Sequence, residues 1–63
     1  MQIFVEEYRL KKDLSLSELS RCSRVAKSHI HGIEGGITVP TIVTLCKLAK
    51  ALNVPCSDLF SCD

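Results

Sequence analysis

The stretch LSLSELSRCSRVAKSHIHGIEGG, residues 14–36, decides the fold. Ser15 followed by Glu18 reads as a capping box, in which the serine hydroxyl takes the N–H of Glu18 and the glutamate reaches back to the N–H of the cap. Leu14 and Leu19 flank that start at the spacing of a hydrophobic staple, and Val25 and Ile30 repeat the spacing around a second start at Ala26. Each segment has room for about two helical turns, and the link Ser23-Arg24-Val25 between them is short. The pattern predicts helices over residues 16–22 and 27–34. Leu16 or Leu19 is buried, Arg21 faces out, and Ile30 and Ile33 face inward. Gly35-Gly36 ends the second helix with the left-handed backbone such ends often require. Two short helices joined by so tight a link form a helix-turn-helix, whose second helix can enter a DNA major groove while the first braces it.

Outward from this pair the helical period continues. Met1, Phe4, Val5 and Tyr8 share one apolar arc and predict a helix over about 2–12, leaving Ile3 and Leu10 together on the opposite side. That pair is either ordinary scattered surface hydrophobes or a partner or dimer contact. Toward the C-terminus, Ile42, Leu45, Leu48, Ala49 and Leu52 form a wide stripe behind a Thr41 cap, with Lys47 and Lys50 facing out. Asn53 and Pro55 stop that helix, and a last one over about 56–61 returns Leu59 and Phe60 to the core. No strand alternation or internal repeat interrupts the series. The expected fold is all-α, one domain over residues 1–63, a compact bundle of five short helices.

Composition narrows the function. A chain of 63 residues with 46% apolar content can form one small core. No apolar run approaches the roughly 20 residues that span a bilayer, and the N-terminal MQIFVEEYRLKK lacks the features of a secretory signal. A cytoplasmic protein is expected. The net charge is only +1, but its distribution is uneven. Between Glu18 and Glu34 there is no acidic residue, while Arg21, Arg24, Lys27, His29 and His31 fall there; acids gather at Glu6, Glu7, Asp58 and Asp63. A local basic surface binds phosphate even on a nearly neutral protein.

The remaining candidates are weaker. Cys22, Cys46, Cys56 and Cys62 show no close pair, which argues against a disulfide framework, and against zinc held by Cys56, Cys62 and a histidine. Cys46, on the edge of the apolar stripe, is expected as a small core residue. His29 and His31 are two apart on a helix, so they share no face and lack the i, i+4 spacing of a zinc pair. No catalytic residue, cofactor or metal is expected.

Taken together, Tyr8-Arg9, LSLSEL at 14–19, VAKSHI at 25–30, Ile33-Glu34, Gly36, and Pro40 before TLCKLAKAL at 44–52 resemble the phage-repressor and Cro-like (Xre) helix-turn-helix family. The stretches SLSEL and VAKS are similar in particular to the DNA-binding domain of SinR-type repressors. It implies a lambda-repressor-like domain whose third helix reads base edges through Lys27, Ser28, His29 and His31. It further implies phosphate contacts from Ser15, Ser17, Arg24, Gly36 and Thr38, and an internal ion bridge between Arg9 and Glu34. Four positions depart from the family. Leu16 replaces a phosphate-binding glutamine, Ser20 an alanine, Arg24 the turn glycine, and Gly32 a larger polar residue. Arg24 is therefore expected to adopt a left-handed backbone, and Gly32 to forgo a base or phosphate contact.

The resemblance points to a sequence-specific regulator of transcription that binds double-stranded DNA. It is expected to be a repressor acting as a homodimer on a two-fold operator. Val54, Leu59 and Phe60, or Ile3 with Leu10, are the candidates for the contact between copies. The alternative is a protein-interaction module of the same fold, an antitoxin or antirepressor, for which the low net charge, Leu16 and the Ile3/Leu10 pair argue.

Overall fold

The computed structural model describes residues 2–62. In chain order these form β1 (Gln2–Ile3), α1 (Val5–Lys11), α2 (Leu16–Ser23), α3 (Lys27–Glu34) and α4 (Ile42–Leu52), followed by a single 3₁₀ turn (Cys56–Leu59) and β2 (Phe60–Ser61). The all-α bundle holds, with α4 packed against α2 and the 3₁₀ turn, and α2 against α3. At its centre lie Val5, Leu19, Val25, Ile30, Ile33, Leu45, Leu48, Ala49, Leu52 and Leu59. Both staples therefore close on the same core, and that shared closure sets α2 and α3 side by side.

Local chemistry explains the helix limits. Ser15 and Thr41 accept hydrogen bonds from Glu18 N and Thr44 N, and so cap α2 and α4. Left-handed residues follow three helices: Asp13 lies just beyond α1 (φ 59°), Arg24 ends α2 (φ 63°) and Asn53 ends α4 (φ 59°). Asp and Asn enter that region readily, whereas Arg24 does so at modest strain. At the end of α3, Gly35 remains helical and Gly36 takes the positive φ of 77°.

The ends of the chain depart from expectation. The first helix begins at Val5, and Gln2–Ile3 instead pairs antiparallel with Phe60–Ser61, Ile3 opposite Phe60 and Gln2 opposite Ser61. Phe4 N donates to Leu59 O at 2.8 Å and closes this ladder onto the 3₁₀ turn. The expected fifth helix is thus one turn and a strand. Because Ile3 is half-buried on β1, it makes no pair with the exposed Leu10. Met1, also assigned to the apolar arc, lies outside the described residues. On α4, Ile42 and Cys46 are exposed, so the buried stripe narrows to Leu45, Leu48, Ala49 and Leu52.

Candidate nucleic-acid interface

α3 is anchored from one side only. Ile30 and Ile33 are buried in the core, while Lys27, Ser28 and His31 are exposed and His29 is half-buried at the edge. The side chains implied as base readers therefore divide: three face outward, and one lies along the margin of the packed face. Helix start and helix entry are controlled by the preceding turn. Ser23 Oγ donates to Leu19 O (2.7 Å) and accepts from Val25 N (3.3 Å). Ser20 Oγ donates to Val25 O (2.6 Å), and Arg24 N donates to Ser20 O (2.8 Å). Two residues, Ser20 and Ser23, thus satisfy both polar backbone atoms of Val25, whose side chain is buried in the core. Sequence reasoning treated Ser20 only as a departure from family and missed its bond across the turn. The readable signal was the tendency of serine to bond nearby backbone groups.

The start of α2 is fixed by its own side chains. The capping box is complete: Glu18 N donates to Ser15 Oγ (3.1 Å), and Ser15 N donates to Glu18 Oε1 (2.8 Å). That second bond is the main reason the Glu18 carboxyl is held below its usual range, with the serine side chain adding to it. A carboxylate therefore already sits where a phosphate would meet the positive end of this helix. Ser15 N is engaged by it, and the exposed hydroxyls of Ser15 and Ser17, with the first-turn N–H groups of Leu16 and Ser17, are polar groups at that end. Leu16 is half-buried against the core and offers no polar contact.

The other end of α3 is tied back to α1. Arg9 Nε and Nη2 donate to Glu34 Oε2 (2.8 Å) and Oε1 (3.1 Å), a two-pronged pair, while Nη1 donates to Leu14 O (2.9 Å). The hydrogen bonds that the guanidinium donates to Glu34 raise its already high pKa. One arginine thus fixes the last residue of α3 and the residue before the α2 cap at once. Neither charge faces outward.

The α3–α4 loop is held by backbone bonds to α3 and by the half-buried Thr38 and buried Pro40 side chains. Ile37 N and Thr38 N both donate to Gly32 O, at 2.9 and 3.1 Å. Gly32 is buried, and a Cβ there would stand 2.8 Å from Thr38 Oγ1. Its lack of a side chain therefore makes room for the loop. The missing side chain at Gly32 thus has a packing reason beside the expected loss of a contact: the position is covered by Thr38. Gly36 is exposed and Thr38 half-buried. Ile37 and Val39 are 83% and 76% exposed, and Ile42 and Val43 continue this apolar surface onto α4.

Elsewhere the candidates sort by burial. Leu59 is wholly enclosed, so it offers no surface to a second copy, whereas Val54 and Phe60 are half-buried. Among the described residues no three His, Cys, Asp or Glu side chains converge as a metal site, and no helix is long and apolar enough to cross a membrane.

Comparison with known proteins places this arrangement. A helix-turn-helix family model matches residues 5–59. The chain is 37% identical over 57 residues to the HTH-type transcriptional regulator SutR of Escherichia coli K12, an overlap of 90% of this chain and 32% of that protein. It therefore spans about a third of the length of that relative. Among solved structures, the restriction-modification controller protein C.AhdI of Aeromonas hydrophila superposes with a TM-score of 0.85 at 34% identity, covering 89% of this chain and 85% of that one. The N-terminal DNA-binding domain of SinR from Bacillus subtilis gives a TM-score of 0.85 at 35% identity, covering 94% and 87%. With most of its length matched in sequence and in backbone, the chain belongs to the helix-turn-helix family.

Proposed function

We propose that this chain is a cytoplasmic, sequence-specific, double-stranded-DNA-binding regulator of transcription, acting as a repressor by occupying promoter DNA. The observation that carries the reading is the uncovered outer face of α3, with Lys27, Ser28 and His31 exposed while Ile30 and Ile33 hold its inner face. Lys27 donates to guanine O6 and N7 or to phosphate, and Ser28 and His31 donate or accept at base edges. His29, at the helix margin, reaches a base only if the groove wraps that side. Ser15 and Ser17 hydroxyls, Arg24, and the backbone around Gly36 and Thr38 supply phosphate contacts on either side of the groove. One copy offers few such contacts, so tight binding calls for a homodimer whose two α3 helices meet half-sites about one DNA turn apart. Val54 and Phe60, together with exposed Leu10, supply the accessible apolar surface among the residues considered for that contact.

A second reading, a protein-interaction module of the same fold such as an antitoxin or antirepressor, is favoured by one observation. Ile37, Val39, Ile42 and Val43 leave a run of large aliphatic side chains in water. Fluorescence anisotropy with random duplex DNA at low and raised salt separates the two. A DNA regulator binds at low salt and loses affinity steeply as salt rises, because bound counterions are released from the phosphates. Absence of binding at micromolar protein would favour the interaction module. On a selected operator, Lys27→Ala should change which sequence is preferred; an equal loss on all sequences would reassign Lys27 to phosphate.

A further inference from the structure

Two of the four cysteines meet on the side of the bundle formed by α4 and the 3₁₀ turn. Cys46 Sγ and Cys56 Sγ are 3.6 Å apart, and both are free thiols. Ten positions separate them in sequence. The contact arises because left-handed Asn53 reverses the chain after α4 and Pro55 starts the turn that brings Cys56 back beside it. Cys46 is exposed, contrary to its expected place in the core, so a dissolved oxidant can reach it. Cys56 is half-buried, and Cys22 and Cys62 are exposed. Among the described residues no third His, Cys, Asp or Glu joins the pair.

We infer that Cys46 and Cys56 form a redox-active dithiol, which a two-electron oxidant of the hydroperoxide class converts reversibly to an intramolecular disulfide between α4 and the 3₁₀ turn. A disulfide needs its sulfurs about 2.05 Å apart, so the pair must close by roughly 1.5 Å. A change in the Cys46 side-chain torsion and yielding of the four-residue turn would supply that movement. Cys46 reacts first. Its thiol gives a proton to water, and the thiolate sulfur attacks one peroxide oxygen. The O–O bond breaks, and the departing oxygen is protonated to water or an alcohol. Cys46 is now a sulfenic acid, oxidised by two electrons. The Cys56 sulfur attacks it, the S–O bond breaks, and the hydroxide leaves as water with the Cys56 proton. Two thiols and one hydroperoxide thus yield one disulfide, one water and one water or alcohol. Partial burial, with the adjoining Cys46 thiol, pushes the Cys56 thiol above its usual range, which suits it to resolve the reaction rather than start it.

The bridge would fasten to α4 the turn that carries Leu59, and through Phe60 the small sheet. None of α3 is involved, so oxidation should stiffen the C-terminal end and leave the outer face of α3 open. The test treats the full chain with one equivalent of hydrogen peroxide, with mass spectrometry of unreduced peptides. Expected are a product two hydrogens lighter, a peptide linking Cys46 to Cys56, a raised Tm, and reversal of all three by dithiothreitol. Cys46→Ser and Cys56→Ser should each abolish the linkage, whereas the double variant Cys22→Ser/Cys62→Ser should retain it. Peroxide products confined to Cys22 and Cys62, or disulfides that only join separate chains, would overturn the inference. If either single variant unfolds, the double variant alone decides between these outcomes.

Discussion

α3 is entered and left by two connections of opposite construction. The turn from α2 is polar inside: Ser20 and Ser23 bond the carbonyl and N–H of Val25, and left-handed Arg24 lies between. The loop to α4 is apolar outside: its backbone hangs on the carbonyl of Gly32, and Ile37 and Val39 face water. The first spends side-chain chemistry on one geometry, and so sets the angle at which α3 stands on the core. The second commits Thr38 and Pro40 inward and leaves Ile37 and Val39 free. A helix whose entry is fixed and whose exit is bare is suited to be presented, and the bare exit is where a partner surface can be added without disturbing the presentation.

The largest effect should come from the pair that spans both connections. Arg9 holds Glu34, the last residue before the loop, and the carbonyl of Leu14, just ahead of the helix that leads to the turn. The side chains of Glu34 and Arg9 are 6% and 11% exposed. Glu34→Ala strands the guanidinium away from water, at a cost of roughly 3–5 kcal/mol. At about 4–8 °C per kcal/mol for a domain of this size, the melting temperature should fall by at least about 12 °C. A thermal melt that barely moved would mean that turn and loop are positioned independently of this bridge.

How much of this contrast was legible in the sequence follows from the range of the interactions involved. Capping boxes, staples and the buried stripe of α4 act within a few residues, and α2, α3 and α4 lie where those patterns put them. The start of α1 was set too early because Met1, Phe4, Val5 and Tyr8 satisfy the helical period, although no polar side chain caps the start at Phe4. A strand of two residues shows no alternation, so the pairing of Ile3 with Phe60 was unreadable. The same applies to the site. Basic, exposed α3 could be read from spacing, whereas the space under Thr38 at Gly32 and the meeting of Cys46 with Cys56 depend on how distant segments return to each other.

An intermediate effect should separate the two connections directly. Ser23→Ala leaves the buried N–H of Val25 without its partner and removes the hydroxyl's bond to Leu19 O. An orphaned buried group costs roughly 1–3 kcal/mol, so the variant should melt at least about 4 °C lower. Val39→Ser, in the loop, removes a methyl-bearing side chain that already faces water, and its melt should stay within about 0.5 kcal/mol of the parent. Calorimetry on the two variants checks the pair. Equal losses would show that the loop is packed as firmly as the turn.

The smallest effect concerns the far end of α2, where stability and DNA affinity should move in opposite directions. Glu18→Gln keeps an acceptor for Ser15 N and loses only the charge. Because the folded protein holds the Glu18 carboxyl below its unfolded value, the charge contributes stability that is fully present above the unfolded pKa. That contribution is lost as pH falls through the lower, folded value. The parent should therefore melt slightly above the variant at neutral pH, with the gap closing on acidification. A gap that widened toward low pH would contradict the capping geometry. For DNA the sign reverses. The same carboxylate stands at the positive end of α2, where the proposed interface meets a phosphate, so the variant should bind random duplex more tightly at low salt. A weaker complex would place the phosphate elsewhere and leave the polar turn, rather than the helix start, as the edge of the interface. Fold and function then compete for one helix end, and the sequence has settled that competition in favour of the fold.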